Sequence, residues 1–324
     1  MANSKYAYVR SFELPDPVLP NTYMVVRIDG KGFHESVFSA QHGFAKPNDG
    51  PALELMNEAA RHVLQELKGQ VVLAFGESDE YSFLFSKICA LYNRRESKIV
   101  THVVSLFTGA YIFHWPRFMP NTPLQRPPSF DGRLVMYPSA KEVRDYFSWR
   151  QVDTHINNLY NTTFWALIQQ GGMTEHQANE ELRHTISAQK HEILYARFQI
   201  NYDRLPQMYR KGTTLVWESM PPSPSAASSS QAQEGPSMIS PKPARRDAAA
   251  AKPRKVLRTL HVDIIGDSFW TQPAELTPKT GDGLQGEAGG SASGEVAEEG
   301  KGAQQPWDDE ARLQGDGLGA SLLV

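Results

Sequence analysis

Two short runs of the sequence combine carboxylates with glycine in a way that suits metal-assisted phosphate chemistry. Asp29 and Gly30 follow the mostly apolar residues 24–28, and the Gly-Glu-Ser-Asp run at 76–79 follows the apolar residues 71–75. A short apolar run that ends at glycine predicts a buried strand, so each run places a carboxylate at a strand exit. Carboxylates are hard oxygen ligands, and a pair of them with substrate phosphates is a typical way to bind Mg²⁺.

Each run also has a simpler interpretation as a turn. Asp-Gly is a common turn dipeptide, and the Gly-Glu-Ser-Asp run suits a hairpin loop. Either interpretation fits one run taken alone. The metal-site hypothesis gains from the two runs together, because both follow apolar strands and both place a carboxylate where the strand ends.

The surrounding pattern predicts a β-α-β-β unit. The first strand covers about 22–29, and Asn48 or Asp49 caps the helix that follows it. Apolar residues recur along this helix at i, i+3 and i+4, which indicates one buried face. A strand over 70–76 and a hairpin with Asp79 at its tip complete the unit.

The remaining elements predict an α+β fold. A long helix over 92–114 and a strand over 134–137 precede a mainly helical region over 139–198, and residues 209–217 form a closing strand or hairpin arm. This order indicates an antiparallel or mixed sheet with helices on one face. The aromatic side chains expected in the core are Tyr81, Phe83, Phe85, Trp149 and Trp165.

The chain is predicted to have five segments. Residues 1–138 are expected to form a domain with the predicted metal site, and residues 139–218 a mainly helical region packed on it. Residues 219–256 are a basic linker rich in Pro, Ser and Ala, predicted to be disordered. Residues 257–274 form a docked segment, and residues 275–324 form an acidic tail that is also predicted to be disordered.

Charge and cysteine content limit the possible classes of protein. The net charge is −3, but residues 279–324 hold nine acidic and three basic residues, so the rest of the chain is slightly basic. The single Cys89 excludes an intramolecular disulfide and a cysteine-based zinc site, and its apolar surroundings predict a packed side chain. The sequence contains neither a secretory signal nor an apolar run long enough to span a membrane.

Ten sequence runs resemble, in order, those of the tRNA(His) guanylyltransferase family. They cover residues 1–218 nearly without gaps and resume at 257–270. The runs lie at residues 1–10, 27–30, 42–49, 76–83, 94–98, 101–103, 130–133, 155–162, 209–213 and 261–267.

The resemblance implies a particular fold and reaction. The family core is similar to the palm of polymerases and nucleotidyl cyclases, a βαββ sheet with two carboxylates that hold two Mg²⁺ ions. Its members use ATP to adenylylate the 5′ phosphate of histidine tRNA, and the 3′ hydroxyl of GTP then displaces AMP. Pyrophosphate removal leaves a guanosine at position −1. The resemblance also implies a homotetramer. From the missing signal, the missing apolar span and the single cysteine, we expect no membrane association and an intracellular, cytoplasmic protein, with a nuclear or organellar pool left open.

The resemblance implies roles for individual residues. Asp29, Gly30 and Asp79 correspond to the metal ligands, while Glu77 and Glu80 are expected to support them. Loop 30–34 is expected to present backbone amides to a triphosphate. The implied catalytic residues are Asp29, Asp79, Lys46, His155 and Asn161, and the implied nucleotide-binding residues are Asp29, Gly30, Lys31, Gly32, Phe33, His34, Ser78, Asp79, Arg95, Lys98 and Lys190.

Two other functions remain open from the sequence. One is a template-dependent 3′→5′ polymerase that repairs tRNA 5′ ends, and the other is a catalytically inert tRNA-binding protein. The polar run at 155–162 and the run at 261–266 favour guanylylation over repair, and the intact Asp29 and Asp79 argue against an inert protein. Taken singly, a cationic side chain on a helix is most often simply solvated, and His155 alone would suit a hydrogen-bonded helix position.

Overall fold

A six-stranded antiparallel sheet forms the centre of the molecule. A computed structural model describes residues 4–33, 37–220, 254–271 and 315–323. The strands are β1 (Tyr23–Gly30), β2 (Val71–Glu77), β3 (Glu80–Phe85), β4 (Phe130–Tyr137), β5 (Thr213–Met220) and β6 (Arg254–Leu260). Their order is β4-β1-β3-β2-β5-β6, and every neighbouring pair is antiparallel.

Eight α-helices lie within the described residues. They are α1 (Phe38–Gln41), α2 (Gly50–Glu66), α3 (Glu96–Phe118), α4 (Ala140–Gln169), α5 (Glu175–Leu182), α6 (Ser187–Phe198), α7 (Gln207–Lys211) and α8 (Asp267–Trp270). The order β1, α2, β2, β3 confirms the predicted β-α-β-β unit. Asp49 caps α2 as predicted, because its side chain accepts a hydrogen bond from the amide of Ala52 at 2.9 Å.

Helices α2 and α3 cover the first face of the sheet. Alternate side chains of β1 and β3, such as Val26 and Phe83, pack against Val63 of α2 and Phe107 of α3. The predicted core positions of Tyr81, Phe83 and Phe85 are therefore confirmed. Cys89 is buried in the same cluster, as expected for a packed small side chain.

Helix α4 covers the second face, so the prediction of helices on one face was wrong. Val25 and Phe75 point away from α2 and α3 and pack against Val143 and Phe147 of α4. The central strands are buried on both faces, and consecutive apolar residues such as 23–26 are typical of such strands.

Strands β5 and β6 extend further than the composition suggested. Ser219 pairs with Lys255 and Met220 pairs with Arg254, so both ends of the predicted linker 219–256 belong to paired strands. Residues 221–253 lie outside the described part of the chain. The strand predicted within 209–217 is present as β5, which pairs with β2 of the first region.

The prediction of a disordered tail was wrong for residues 315–323. This segment packs against the second face through Leu318, Leu322 and Leu323. The acidic residues of the tail are concentrated upstream, so its average composition concealed a short apolar, glycine-rich segment. Residues 275–314 lie outside the described residues. No described helix has the length and hydropathy needed to cross a membrane.

Candidate active site

Strand pairing brings the two predicted carboxylates to one end of the sheet. Asp29 is the penultimate residue of β1 and pairs with Glu80, while Asp79 directly precedes Glu80 in the β2–β3 hairpin. The amide of Gly30 donates to the carbonyl of Asp79 at 2.9 Å. Because this hydrogen bond joins the strand exit to the hairpin tip, both carboxylates line the same cavity.

Gly30 is required by the close approach of these two segments. A Cβ atom at this position would lie 2.6 Å from the ring of Phe33 and 3.0 Å from the Cβ of Asp79. The ring of Phe33 is buried and stacks on Phe38, so it has little room to move. The glycine next to Asp29 therefore does more than form a turn, since it lets Asp79 approach β1.

The cavity between the hairpin, the start of α2 and one face of α4 has a volume of about 790 Å³. This volume is within the range of roughly 300–1,000 Å³ that is usual for small-molecule sites. Along α4 its lining recurs at helical spacing: Arg150, Asp153, Asn157, Asn161 and Trp165 all face it. The polar residues within this predicted helix thus follow one face, and that face borders the cavity.

Carboxylates outnumber guanidinium groups at the hairpin end of the cavity. Arg150 donates to Glu80 at 3.0 Å and also pairs with Asp153, while Arg27 bridges Glu80 and Asp29. Burial, followed by the negative charge of Asp79, raises the pKa of Asp29. Excess negative charge in a partly buried site favours a bound cation.

Glu77 belongs to the same cluster. Burial and then the charge of Glu80 raise the pKa of Glu77 to about 8. Its carboxylate oxygen Oε1 lies 4.0 Å from Nη1 of the Arg150 guanidinium. Glu77 and Glu80 are thus turned toward α4 and Arg150, which suits the supporting role expected from the resemblance.

The donor set fits Mg²⁺ held jointly by protein and substrate. No group of three or more His, Cys, Asp or Glu side chains in the described part of the chain has the arrangement of a complete metal site. Mg²⁺ is usually bound through one or two carboxylates, with waters and substrate phosphates supplying the other ligands. Asp29 and Asp79 at a common cavity provide that number of carboxylates.

Tyr111 of α3 adds a polar group to the cavity wall. Its side chain is fully buried, and its hydroxyl has no hydrogen-bond partner among the described residues. Burial raises the pKa of Tyr111, so the hydroxyl remains a donor at neutral pH. A buried donor without a partner is costly, and a ligand or water in the cavity would satisfy it.

The structure brings only part of the predicted set of site residues together. Phe33, Lys46, Ser78, Asp79, Asn161 and Asp29 line the cavity. In loop 30–34 the amides of Gly30 and Lys31 already donate to Asp79 and Ser129, so these two amides are not available to a triphosphate. Gly32 has a positive φ of 75°, and His34 lies outside the described residues.

Gly30, Lys31 and Gly32 are not part of the cavity lining, and four further predicted residues lie away from it. Arg95 pairs with Asp16 and Glu13 in the N-terminal segment, and the ammonium of Lys98 lies 5.8 Å from the ring centre of Tyr92. The other two lie where α4 contacts α6, and the Lys190 ammonium is 5.9 Å from the ring centre of Tyr160, which lines the cavity. Lys190 donates to the carbonyl of Thr185, and His155 packs edge-on against Tyr202 and near His191. Burial, with a smaller effect of His191, lowers the pKa of His155.

Sequence reasoning missed Arg150 and misplaced Trp149. The Trp149 side chain is 51% exposed, so its predicted core position was wrong, and the Arg150 guanidinium lies 3.6 Å from the centre of its ring. Arg150 itself is 4% exposed and holds Glu80 from 70 positions away. A single arginine in a polar helix does not predict such a contact from sequence. The contact becomes visible only in the fold, which places Arg150 beside Glu80 and Asp153.

An antiparallel sheet with two carboxylates at one cavity of about 790 Å³ is the arrangement expected of a palm-type nucleotidyltransferase. The family profile described as tRNAHis guanylyltransferase matches residues 6–138, and the Thg1 C terminal domain profile matches residues 141–266. The chain therefore belongs to the tRNA(His) guanylyltransferase family.

Individual relatives agree with this assignment. A tRNA(His) guanylyltransferase of Schizosaccharomyces pombe is 50% identical over 84% of this chain and 96% of its own length. The crystal structure of the Saccharomyces cerevisiae enzyme is 48% identical, covers 65% of this chain and 93% of its own, and gives a TM-score of 0.63. A bacterial Thg1-like protein in complex with ATP is 25% identical over 64% of this chain and 85% of its own, with a TM-score of 0.53.

Proposed function

We propose that this protein adds a guanosine to position −1 of histidine tRNA. The observation that carries the proposal is the pair Asp29 and Asp79 at one nucleotide-sized cavity, in a chain of this family. The names of the Schizosaccharomyces pombe and Saccharomyces cerevisiae relatives support the tRNA substrate, and the ATP complex of the bacterial relative supports a nucleotide in this fold.

The proposed reaction consists of two displacements at phosphorus and one hydrolysis. The 5′ phosphate of the tRNA attacks the α-phosphorus of ATP, and pyrophosphate leaves. The 3′ hydroxyl of GTP then attacks the activated 5′ phosphorus, and AMP leaves. Water finally cleaves the triphosphate of the added nucleotide, which releases a second pyrophosphate. Negative charge accumulates on oxygen in each step, so a cationic site lowers each barrier.

The residues that would hold two Mg²⁺ ions are Asp29 and Asp79, with the carbonyl of Gly30. When bound, the ions would stabilise charge on attacking and leaving oxygens. Arg27 supports this role because it donates to Asp29 Oδ2 at 3.2 Å and also binds Glu80, which fixes the carboxylate of Asp29.

Other side chains of the cavity suit the handling of the nucleotide. Lys46 lines the cavity just before the start of α2, where its ammonium can neutralise phosphate oxygens. The Asn161 amide offers both a donor and an acceptor. The Tyr111 hydroxyl lies near Asp49 and Asp79, whose charges both act on its pKa, and it can donate to a ligand placed between them.

The residues outside the cavity suit contacts with the RNA. Arg95, Lys98, Lys190 and His155 carry the basic or polar groups that phosphate recognition needs, but they do not line the nucleotide cavity. We assign them to the tRNA because phosphate contacts are distributed over a surface, whereas the reacting nucleotide is enclosed. Loss of one such contact would weaken RNA binding more than it slows the chemical step.

The proposal is tested with a histidine tRNA transcript that lacks the −1 nucleotide, supplied with ATP, GTP and Mg²⁺. Asp29→Asn and Asp79→Asn should each lower the rate of guanosine addition by roughly 10³-fold, about 4 kcal/mol of barrier. Binding of the tRNA should change little, because its phosphates contact Lys and Arg side chains elsewhere.

The matched control is Asp131→Asn. Asp131 pairs with Asp29 across β1 and β4, but its side chain is 64% exposed and does not line the cavity. It should retain near wild-type activity. Wild-type activity in Asp29→Asn would contradict the metal assignment.

A second substrate distinguishes the alternative functions. Faster addition to a 5′-truncated, correctly templated tRNA than to the tRNA that lacks only its −1 residue would identify a repair polymerase. Tight binding of both transcripts without addition to either would identify an inert tRNA-binding protein.

We also propose that the protein assembles into a homotetramer. The N-terminal segment supports this, because Tyr6, Tyr8, Phe12 and Leu14 are each more than 60% exposed and such apolar patches commonly mark interfaces. Analytical ultracentrifugation at several concentrations measures the assembly directly. A monomer at every concentration would contradict the proposal.

A further inference from the structure

We propose that the second face of the sheet carries a docking site for the protein's own tail segment, residues 315–323, and that the segment binds there in cis. The site is formed by α8 and the side chains of β1 and β6 near it. It is separate from the nucleotide cavity, so the proposal does not depend on the proposed function.

Backbone hydrogen bonds fix the position of the tail segment on α8. The amide of Gly317 donates to the carbonyl of Ser268 at 2.7 Å, and the amide of Gly319 donates to the carbonyl of Phe269 at 2.8 Å. The Tyr23 hydroxyl of β1 donates to the carbonyl of Leu323 at 2.8 Å. Bonds at both ends of the segment specify one register.

Apolar contacts supply the area that the segment buries. Leu318, Leu322 and Leu323 pack against the same cluster as Phe269 and Trp270. Both aromatic side chains are nearly fully buried, at 1% and 6% exposed. Their burial depends in part on the tail segment, and removal of that segment would expose apolar surface to water.

The site selects for glycine at particular positions of the segment. A Cβ atom at Gly319 would lie 2.7 Å from Phe269 Cε1 and 2.8 Å from Trp270 Cε3. At Gly315 the φ angle is +80°, and a Cβ atom would lie 3.1 Å from Leu260. The segment thus fits by shape and backbone conformation as well as by hydrophobicity.

The position of the neighbouring chain favours binding in cis. Residue 271 directly follows α8, and Gly315 lies against Leu260 and Phe269, so the chain leaves and returns at the same place. Loop-closure entropy rises only slowly with loop length. A tethered segment also has a high effective concentration.

The test uses the full-length protein and a fluorescein-labelled peptide of residues 311–324. Gly319→Val should vacate the site, lower the Tm by several degrees and allow the peptide to bind, detected as a rise in anisotropy. The wild type, whose site is already occupied, should bind the peptide at least 10-fold more weakly. Ser321→Val is the matched control, because Ser321 is exposed and should behave as the wild type.

Two further measurements exclude a general loss of folding. Leu322→Asp vacates the site without crowding Phe269, and it should bind the peptide as Gly319→Val does. Added peptide should restore the Tm of both variants, whereas a peptide that carries the Gly319→Val change should not.

The proposal fails if the peptide binds neither variant, or if it binds wild type and Gly319→Val equally well. It also fails if Gly319→Val lowers the oligomeric state of the protein, since the occupant would then be the tail of a second copy. An unchanged Tm in both variants would show that the segment contributes nothing to the folded state.

Discussion

At residue scale, the ring of Tyr81 occupies the space that a side chain at Gly76 would need. Gly76 and Tyr81 pair directly across β2 and β3, and a Cβ atom at Gly76 would overlap the Tyr81 ring. The Tyr81 hydroxyl donates to Asn57 of α2 at 2.9 Å, and the side chain is fully buried. The glycine before the active-site hairpin is therefore a packing requirement that also sets where Asp79 lies.

Gly76→Ala should destabilise the protein by about 1–3 kcal/mol, because the added methyl group forces a buried ring to move. Urea denaturation measures this change. Gly109→Ala in α3 is the matched control, since no atom lies within 4 Å of a Cβ built there. That substitution should stabilise the helix by about 0.5–1 kcal/mol. Equal effects of the two substitutions would contradict the packing argument.

The sequence predicts some residues of the site and not others for a physical reason. Asp29 and Asp79 are identifiable because each sits at the end of its own apolar strand, a local pattern. Asn161 has a weaker local signal, because asparagine is unfavourable within a helix, and Lys46 is identifiable only through the family resemblance. Neither the local pattern nor the resemblance identifies Arg150 and Tyr111, because their importance comes from burial and from contacts with distant segments.

At element scale, the start of α3 is capped by a residue outside the helix. Arg95 precedes α3 without a side-chain cap of its own, and Asp16 accepts the amide of Ser97 at 2.8 Å. Asp16 also accepts from Arg95 Nε at 2.8 Å. Its place in the chain, far from the helix, is why periodicity placed the start of α3 at residue 92 instead of Glu96.

The capping contact has a defined pH dependence. The hydrogen bond from Ser97, together with Arg95, holds the pKa of Asp16 well below its usual value of 3.8. A lowered pKa in the folded state stabilises the protein above that usual value, and this stabilisation is lost as the pH falls toward the folded-state pKa.

We expect Asp16→Ala to lower the Tm clearly at pH 7 and much less at pH 2.5, because the wild type has by then lost part of the contribution. Glu13→Ala is the control. Glu13 pairs with Arg95, but its side chain does not cap α3 and is 65% exposed, so its loss should have a small effect at both pH values. Scanning calorimetry gives all the values, and a pH-independent gap between wild type and Asp16→Ala would refute the argument.

Element boundaries could be predicted where periodicity or capping is local, as at Asp49 and at the capping box of Thr174 and Gln177. They could not be predicted where pairing partners decide. The ends of β5 and β6 continue past the change in composition because each strand pairs with the other. Residues 315–323 are ordered by a surface that composition does not reveal.

At the scale of the whole molecule, the two parts of the chain that the family profiles match are not separate domains, because both contribute strands to one sheet. Residues 6–138 supply β1 to β4, whereas residues 141–266 supply β5 and β6 of the same sheet and the helix that covers its second face. Within the second part, Gln151 of α4 holds the segments that flank β5 and β6. Its side chain donates to the carbonyls of Lys211 and Val262 and accepts the amide of Ile264.

Gln151→Leu should destabilise the protein by about 2 kcal/mol or more, since it leaves buried backbone groups without partners. Because Gln151 holds the chain between β6 and α8, the loss should appear as one cooperative unfolding transition at lower urea concentration. Gln170→Leu, at an exposed position after α4, is the control and should have little effect. Separate transitions for the two family regions would contradict the shared-sheet architecture.

The paired strands β5 and β6 have one end at the active site, and the other end, where the chain length can change, lies far from it. Thr213 lines the cavity beside Gly76, while Met220 and Arg254 pair at the opposite end of the hairpin, about 23 Å along the strand. An insertion in the chain between Met220 and Arg254 leaves the register of the sheet unchanged, because no paired residue of the strand is displaced. Evolution can therefore lengthen or shorten the chain there without moving a catalytic atom. For the same reason, the position is suited to an internal affinity tag or fluorescent reporter that leaves the active site intact.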